Sequence, residues 1–159
     1  MPLVIGIDPS SKKLALCITT TFSGDETPEL HTISLPVGVA RATGHAYSEA
    51  FCFFQHSDPA KTSVYLEAPL FGRNALSTLV QAQVGGAVMA AAANCGVPVH
   101  LVNVSSWKKK ILGKGNAKKE EVSELLRGIW PEAYNAAKGD QDLIDACGIN
   151  RYGVANRRL

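Results

Sequence analysis

Four carboxylates draw attention by where they fall. Asp8 follows the apolar run Val4-Ile5-Gly6-Ile7, and Glu67 ends a second short run, Ser63-Val64-Tyr65-Leu66. A charge at the end of a buried strand is costly unless something pairs with it. Asp142 and Asp145 lie three residues apart in a helical pattern, about 60° apart around the axis, so both can face one target. Like charges at that spacing repel unless a cation joins them. Acids converging without Cys or His suit hard Mg²⁺ or Mn²⁺ rather than zinc. Two such ions about 4 Å apart can activate a water and stabilise the leaving oxygen of a phosphodiester.

Each acid alone has a plainer explanation. Asp8 before Pro9-Ser10-Ser11 fits a turn cap, and Asp142 and Asp145 fit the solvated first turn of a helix. Against this, Leu143, Ile144, Ala146 and Cys147 flank the two aspartates, so this face is expected to lie on the sheet. Asp140 is five residues from Asp145, faces elsewhere, and is assigned the helix cap.

Residues 107–119, WKKKILGKGNAKK, hold six lysines and no acid: Lys108, Lys109, Lys110, Lys114, Lys118 and Lys119. Such a segment can neutralise phosphates that the carboxylates would otherwise repel, although a solvated basic face reads the same way. Gly113 and Gly115 permit close backbone approach, and the amides opening a helix near Ala117 are expected to form an anion site. Trp107 reads as a packing residue. Arg151, Arg157 and Arg158 extend the basic surface or belong to a frayed tail.

The elements that must position these groups follow from hydrophobic pattern and turn chemistry. The first strand is apolar at every position but Gly6, which suits a central strand covered on both faces. Residues 14–21 and 31–35 are expected to pair as further strands of an antiparallel meander, with a turn over residues 22–29. Residues 40–55 read as a helix with Ala42, Ala46, Ala50, Phe53 and Phe54 along one face. A strand over residues 63–67 brings Glu67, and Asn74 caps a long Ala/Gly-rich helix over residues 75–94. A fifth strand occupies residues 97–102, followed by helices over residues 106–112, 117–127 and 140–152. The expected fold class is α/β: one domain over residues 1–159, with a five-stranded mixed sheet made of a three-strand meander and two parallel strands, helices covering both faces.

Composition narrows the classes. At 159 residues, 46% hydrophobic and 19% charged, the chain is long enough for one substantial core and is ordinary for a globular domain. The longest apolar run is broken by Gln81, Gln83 and Asn94, so no membrane span is expected. Cys17, Cys52, Cys95 and Cys147 are scattered, as are His31, His45, His56 and His100. The cysteines read as reduced thiols of a cytoplasmic protein rather than zinc ligands.

Taken in order, IGIDPSS, VYLEAPLFGRNA, QAQVGGAVMAAA, WKKKILGKGNAKKEEV and DLIDA resemble the RuvC-type Holliday junction resolvases of the RNase H-like superfamily. The short forms carried by bacteriophages are the nearest in character. The resemblance implies an RNase H-like nuclease domain and a metal-dependent endonuclease, usually a homodimer, that nicks branched DNA at four-way junctions and leaves 5′-phosphate and 3′-hydroxyl ends. It implies two Mg²⁺ or Mn²⁺ ions per site held by Asp8, Glu67, Asp142 and Asp145, with Lys119 as the active-site lysine and Lys108 as a second basic residue important for the junction. The other lysines of the segment, with Phe71 and Arg73, are then expected to face DNA. If phage-encoded, the enzyme would work in the host bacterial cytoplasm. Phe71 falls one position later than the aromatic that family members insert near the crossover, because Ala68-Pro69-Leu70 is one residue longer. In the family the 75–94 region also makes the dimer interface. Alternatives are a nuclease for flaps, forks and displacement loops, a non-catalytic junction-binding module, and an actin-like or sugar-kinase-like nucleotide binder, for which the length leaves little room.

Overall fold

The computed structural model describes residues 2–20, 26–72 and 74–156. Strands β1 (Leu3–Pro9), β2 (Lys13–Thr19), β3 (Glu29–Ser34), β4 (Thr62–Glu67) and β5 (Val99–Val102) form one sheet in the order β3-β2-β1-β4-β5. β1, β2 and β3 run antiparallel as the expected meander, while β4 lies parallel to β1 and β5 parallel to β4. Ser10 closes the first hairpin: its amide and its hydroxyl both donate to the Lys13 carbonyl, at 2.9 and 3.0 Å.

Helices α1 (Val39–Phe54) and α2 (Ala75–Asn94) cover one face of the sheet. They enclose Ile5, Ile7, Leu14, Leu16, Val64 and Leu66. Helices α3 (Val104–Leu112), α4 (Lys119–Ile129), α5 (Pro131–Ala137) and α6 (Gln141–Asn156) cover the other, over Val4, Ala15, Cys17, Tyr65 and Val102. Both faces of β1 are thus buried, which is why its sequence shows a continuous apolar run and no alternation. Edge strand β3 is covered weakly and is mostly exposed.

Residues of α1 at Ala42, Ala46, Ala50 and Phe54 are buried as expected, with Phe53 only partly so. α2 is long and apolar enough by composition to cross a bilayer, but Val80, Val84, Val88, Ala91 and Ala92 are buried in the core it shares with α1 and the sheet. Asn74 caps it as expected, accepting from the amides of Leu76 and Ser77 at 3.0 and 3.3 Å.

The departures are local. The fourth helix begins at Lys119, not near Ala117, and runs through Gly128 to Ile129. A further helix, α5, follows at once with Pro131 in its first turn. Pro131 supplies a preset φ and needs no amide partner there, so it starts a helix where the sequence had suggested only a connection. Part of the turn expected over residues 22–29 lies outside the described residues.

Candidate active site

Asp8 and Glu67 stand at the same end of two neighbouring parallel strands. The last registered pair of β1 and β4 is Ile7 with Leu66, so the two acids continue that register side by side. Strand alternation puts them on the face shared with Val4 and Tyr65, the face that α6 covers. Both are more than nine-tenths buried.

α6 reaches this pair because three glycines let it descend. A Cβ on Gly6 would lie 2.4 Å from both the Ala146 carbonyl oxygen and the Asn150 amide nitrogen of α6. A Cβ on Gly148 would lie 2.6 Å from the Trp107 ring, and one on Gly153 would lie 2.4 Å from the Tyr65 ring. Asn150, fully buried, pins the helix: its amide donates to the carbonyls of Val4 and Cys17 at 2.8 and 2.9 Å, and its oxygen accepts from the Thr19 hydroxyl at 3.2 Å. The first turn of α6 then presents Asp142 and Asp145 to the strand ends. Asp140 is the cap, accepting from the Asp142 amide at 3.0 Å.

Electrostatics record the convergence. Asp8 is pushed well above the ordinary aspartate range, first by burial and then by Glu67, Asp145 and Asp142, with Lys13 acting against the rise. Burial likewise lifts Glu67 to about 7, aided by Asp145 and Asp142 and opposed by the Trp107 N–H and by Lys108. Asp145 is raised by burial and by Asp142, against a hydrogen bond from Gln141 and the charges of Lys108 and Lys119. Glu67 and Asp145 therefore face a common region. Among the described residues no three His, Cys, Asp or Glu side chains are drawn in to the spacing of a closed ligand set. The donor chemistry nonetheless suits a hard divalent cation: four carboxylates supply only oxygen, and the raised proton affinity of Asp8, Glu67 and Asp145 shows how poorly the local cations neutralise the site.

The basic segment borders the acids on α3 and α4. Lys108 is half-buried, donates to the Ala117 carbonyl at 3.0 Å and lies 5.5 Å from the Trp107 ring centroid. Lys119 opens α4 within electrostatic reach of Asp145. Lys109, Lys110 and Lys118 are exposed. Lys114 is paired with Glu121, an acid just beyond the segment. At the helix start expected to form an anion site, the Lys118 amide donates to Glu121 Oε2 at 2.7 Å, so the helix fills one of those donors itself. Gly115 serves packing as well, since a Cβ there would lie 3.0 Å from the Ser105 carbonyl oxygen.

Phe71 is 84% exposed. It lines a hollow of about 440 Å³ between the segment that follows Glu67 and Gly115. Arg73, Arg157 and Arg158 lie outside the described residues.

Sequence reading missed three supports. Lys13, opening β2, pairs with Asp140 and lies 3.5 Å from Asp142. Gln141 donates to Asp145 at 2.8 Å. Trp107 is a packing residue as expected, but its indole N–H also donates to Glu67 Oε2 at 2.9 Å. Lys13 and Trp107 contact acids across long sequence separations, so only the folded chain reveals them. Gln141 is four residues before Asp145, a helical spacing that could have been read.

Comparison with known proteins agrees with this geometry. Residues 4–149 match the family model described as crossover junction endodeoxyribonuclease RuvC. The protein of that name from Anaeromyxobacter dehalogenans is 29% identical over 157 residues, covering 98% of this chain and 82% of the relative. That of Chlorobaculum parvum is 29% identical over 152 residues, covering 92% and 78%. A third, from Trichlorobacter lovleyi, is 32% identical over 95 residues, 58% of this chain, and the match spans about half the relative, 53%. Among solved structures, Thermus thermophilus RuvC in complex with Holliday junction substrate superimposes with a TM-score of 0.78 at 24% identity, over 96% of this chain and 92% of that one. The T. thermophilus RuvC structure gives 0.71 at 22% identity, over 96% and 95%. At these identities the structural likeness is one of fold, and that fold is the RNase H-like arrangement.

Proposed function

The chain belongs to the RuvC family, and from that premise we propose that it is a metal-dependent endonuclease that nicks branched DNA, four-way junctions foremost. The observation that carries the proposal is the approach of Asp142 and Asp145 of α6 to the strand ends bearing Asp8 and Glu67: Asp8 is raised by the other three acids, Glu67 by both aspartates of α6, and Asp145 by Asp142.

Asp8, Glu67, Asp142 and Asp145 would hold Mg²⁺, or Mn²⁺ in its place, two ions per site. When bound, the ions supply activation of the attacking water and stabilisation of the leaving oxygen. The protein's own contribution is rigidity and charge. Gly6 and Asn150 fix the distance between the strand acids and the helix acids. Asp140 and Lys13 hold the start of α6, and Gln141 orients Asp145. Lys108 and Lys119 lower the cost of gathering negative charge, so a phosphate can approach. Lys109, Lys110, Lys114 and Lys118 extend that attraction along the backbone of the DNA.

A homodimer is part of the proposal, because a two-fold junction is served by two sites. α2 offers the surface for it, with Leu76 and Leu79 exposed on the side away from the core. A cytoplasmic setting fits the free thiols of Cys17 and Cys147, both buried.

A broader substrate range, covering flaps, forks and displacement loops, is favoured by one observation. Phe71 is displaced by one residue from the family spacing, which moves this aromatic off the position that family members use for insertion near the crossover. Cleavage of a synthetic four-way junction, a fork and a linear duplex with Mg²⁺ separates the readings. Preferred nicking of the four-way junction is expected. Equal cutting of all three would defeat junction selectivity, and no cutting of any would leave a binding module.

A further inference from the structure

Trp107 is buried completely and is among the largest such side chains in the chain. Its ring is closely enclosed. Gly148 of α6 lies so close that even a methyl group there would meet the six-membered ring at 2.6 Å, and Lys108 stands near the ring, 5.5 Å from its centroid. The one polar atom of this enclosed side chain, the indole N–H, donates to Glu67 Oε2 at 2.9 Å. Among the described residues no other hydrogen bond reaches the Glu67 carboxylate. One lone pair of Oε2 is thus engaged in a fixed direction, and Oε1 accepts no hydrogen bond among the described residues and stands open to a ligand.

Coordination chemistry gives that asymmetry a consequence. Ca²⁺ accepts six to eight oxygens and readily takes both from one carboxylate, whereas Mg²⁺ demands near-octahedral geometry with single oxygens. Outer partners that orient a ligating carboxylate typically change metal affinity about 10- to 100-fold.

We propose that Trp107 is a positioning residue that holds Glu67 Oε2 in place and biases the carboxylate toward coordinating through Oε1 rather than through both oxygens, and so favours Mg²⁺ and Mn²⁺ over Ca²⁺. The inference rests on the metal-dependent reading of the four acids. It makes no use of the DNA substrate, so binding of the ion alone tests it.

The experiment replaces Trp107 by 3-benzothienylalanine, which keeps the bicyclic shape and exchanges the N–H for sulfur. Mn²⁺ binding to the full chain is followed by electron paramagnetic resonance, with Ca²⁺ as competitor, and thermal unfolding is recorded alongside. The expected result is an unchanged unfolding midpoint, Mn²⁺ affinity about 10- to 100-fold weaker, and more effective competition by Ca²⁺. In a Glu67→Gln background the same replacement is expected to change nothing further, because the metal-binding carboxylate it acts through is gone. Mn²⁺ affinity and Ca²⁺ competition equal to the native chain's would overturn the proposal. So would a loss of equal size in the Glu67→Gln background, which would mark Trp107 as general packing. Failure of the underlying reading looks different: the native chain would then bind no Mn²⁺, or Asp145→Asn would leave binding intact.

Discussion

Gly6 of β1 and Asn150 of α6 meet backbone to backbone, with space at Gly6 for hydrogen and nothing more: a Cβ would stand 2.4 Å from the Asn150 amide nitrogen. This contact sets the depth of α6 on the sheet. It therefore sets the separation of Asp8 from Asp142 and Asp145.

Gly6→Ala must push α6 outward, because backbone atoms oppose the methyl group. A loss of about 3 kcal/mol is expected from overpacking of this kind, read by urea denaturation. Divalent-ion binding should fall with it. Asn150→Leu tests the same seam from the other side: it strands the Val4 and Cys17 carbonyls, at about 1 to 3 kcal/mol for each buried group left unsatisfied. Native stability in either variant would show that α6 is not held here.

The metal-free chain should lose stability as pH rises. Glu67 moves from its ordinary value of 4.5 to about 7 on folding, so between those values the folded chain keeps a proton that the unfolded chain has released. The stabilisation is complete below about pH 4.5 and is lost as pH rises through 7, on the order of 3 kcal/mol for this group. Denaturation at pH 5 and pH 8 without divalent ions measures it. Glu67→Gln should flatten the slope, and Mg²⁺ should restore stability at pH 8 by binding the folded state.

Asp145→Asn keeps the shape of its side chain and removes one negative charge from the site. It should bind branched DNA and cut it at least about 100-fold more slowly, since even partners one step removed from a metal are worth about 10- to 100-fold. Gel-shift and nicking assays on one four-way junction check both halves. Undiminished cutting would take Asp145 out of the chemistry.

Lys119→Ala should weaken binding to every DNA tested alike and lower the slope of log affinity against log salt by about 1, the signature of one lost phosphate contact. A salt titration with a four-way junction and a plain duplex provides the comparison. Lys114→Ala should do less, because Lys114 is already paired with Glu121.

The sheet was legible from sequence because its strands are short, apolar and punctuated by Pro, Gly and Ser. Asp8 and Glu67 stood out because charge at the end of an apolar run is conspicuous, and Asp142 and Asp145 because their helical spacing sets two like charges on one face. What stayed hidden depends on tertiary contact. Lys13 looks like any lysine leaving a turn, and only the fold carries it to Asp140 and Asp142. Trp107 shows its bulk in the sequence but not the partner of its N–H. Helix α5 was missed because Gly128 and Pro131 read as breakers, whereas Gly128 is tolerated near a helix end and Pro131 begins the next one.

The lateness of α6 in the chain bears on how the protein comes to life during synthesis. β1, β4, α1 and α2 all lie within the first 94 residues, yet both helical aspartates and the Asn150 anchor emerge after residue 141. A ribosome that stalls before that point releases a fragment with Asp8 and Glu67 but no partners for them. Such a fragment lacks the half of the proposed site that α6 brings.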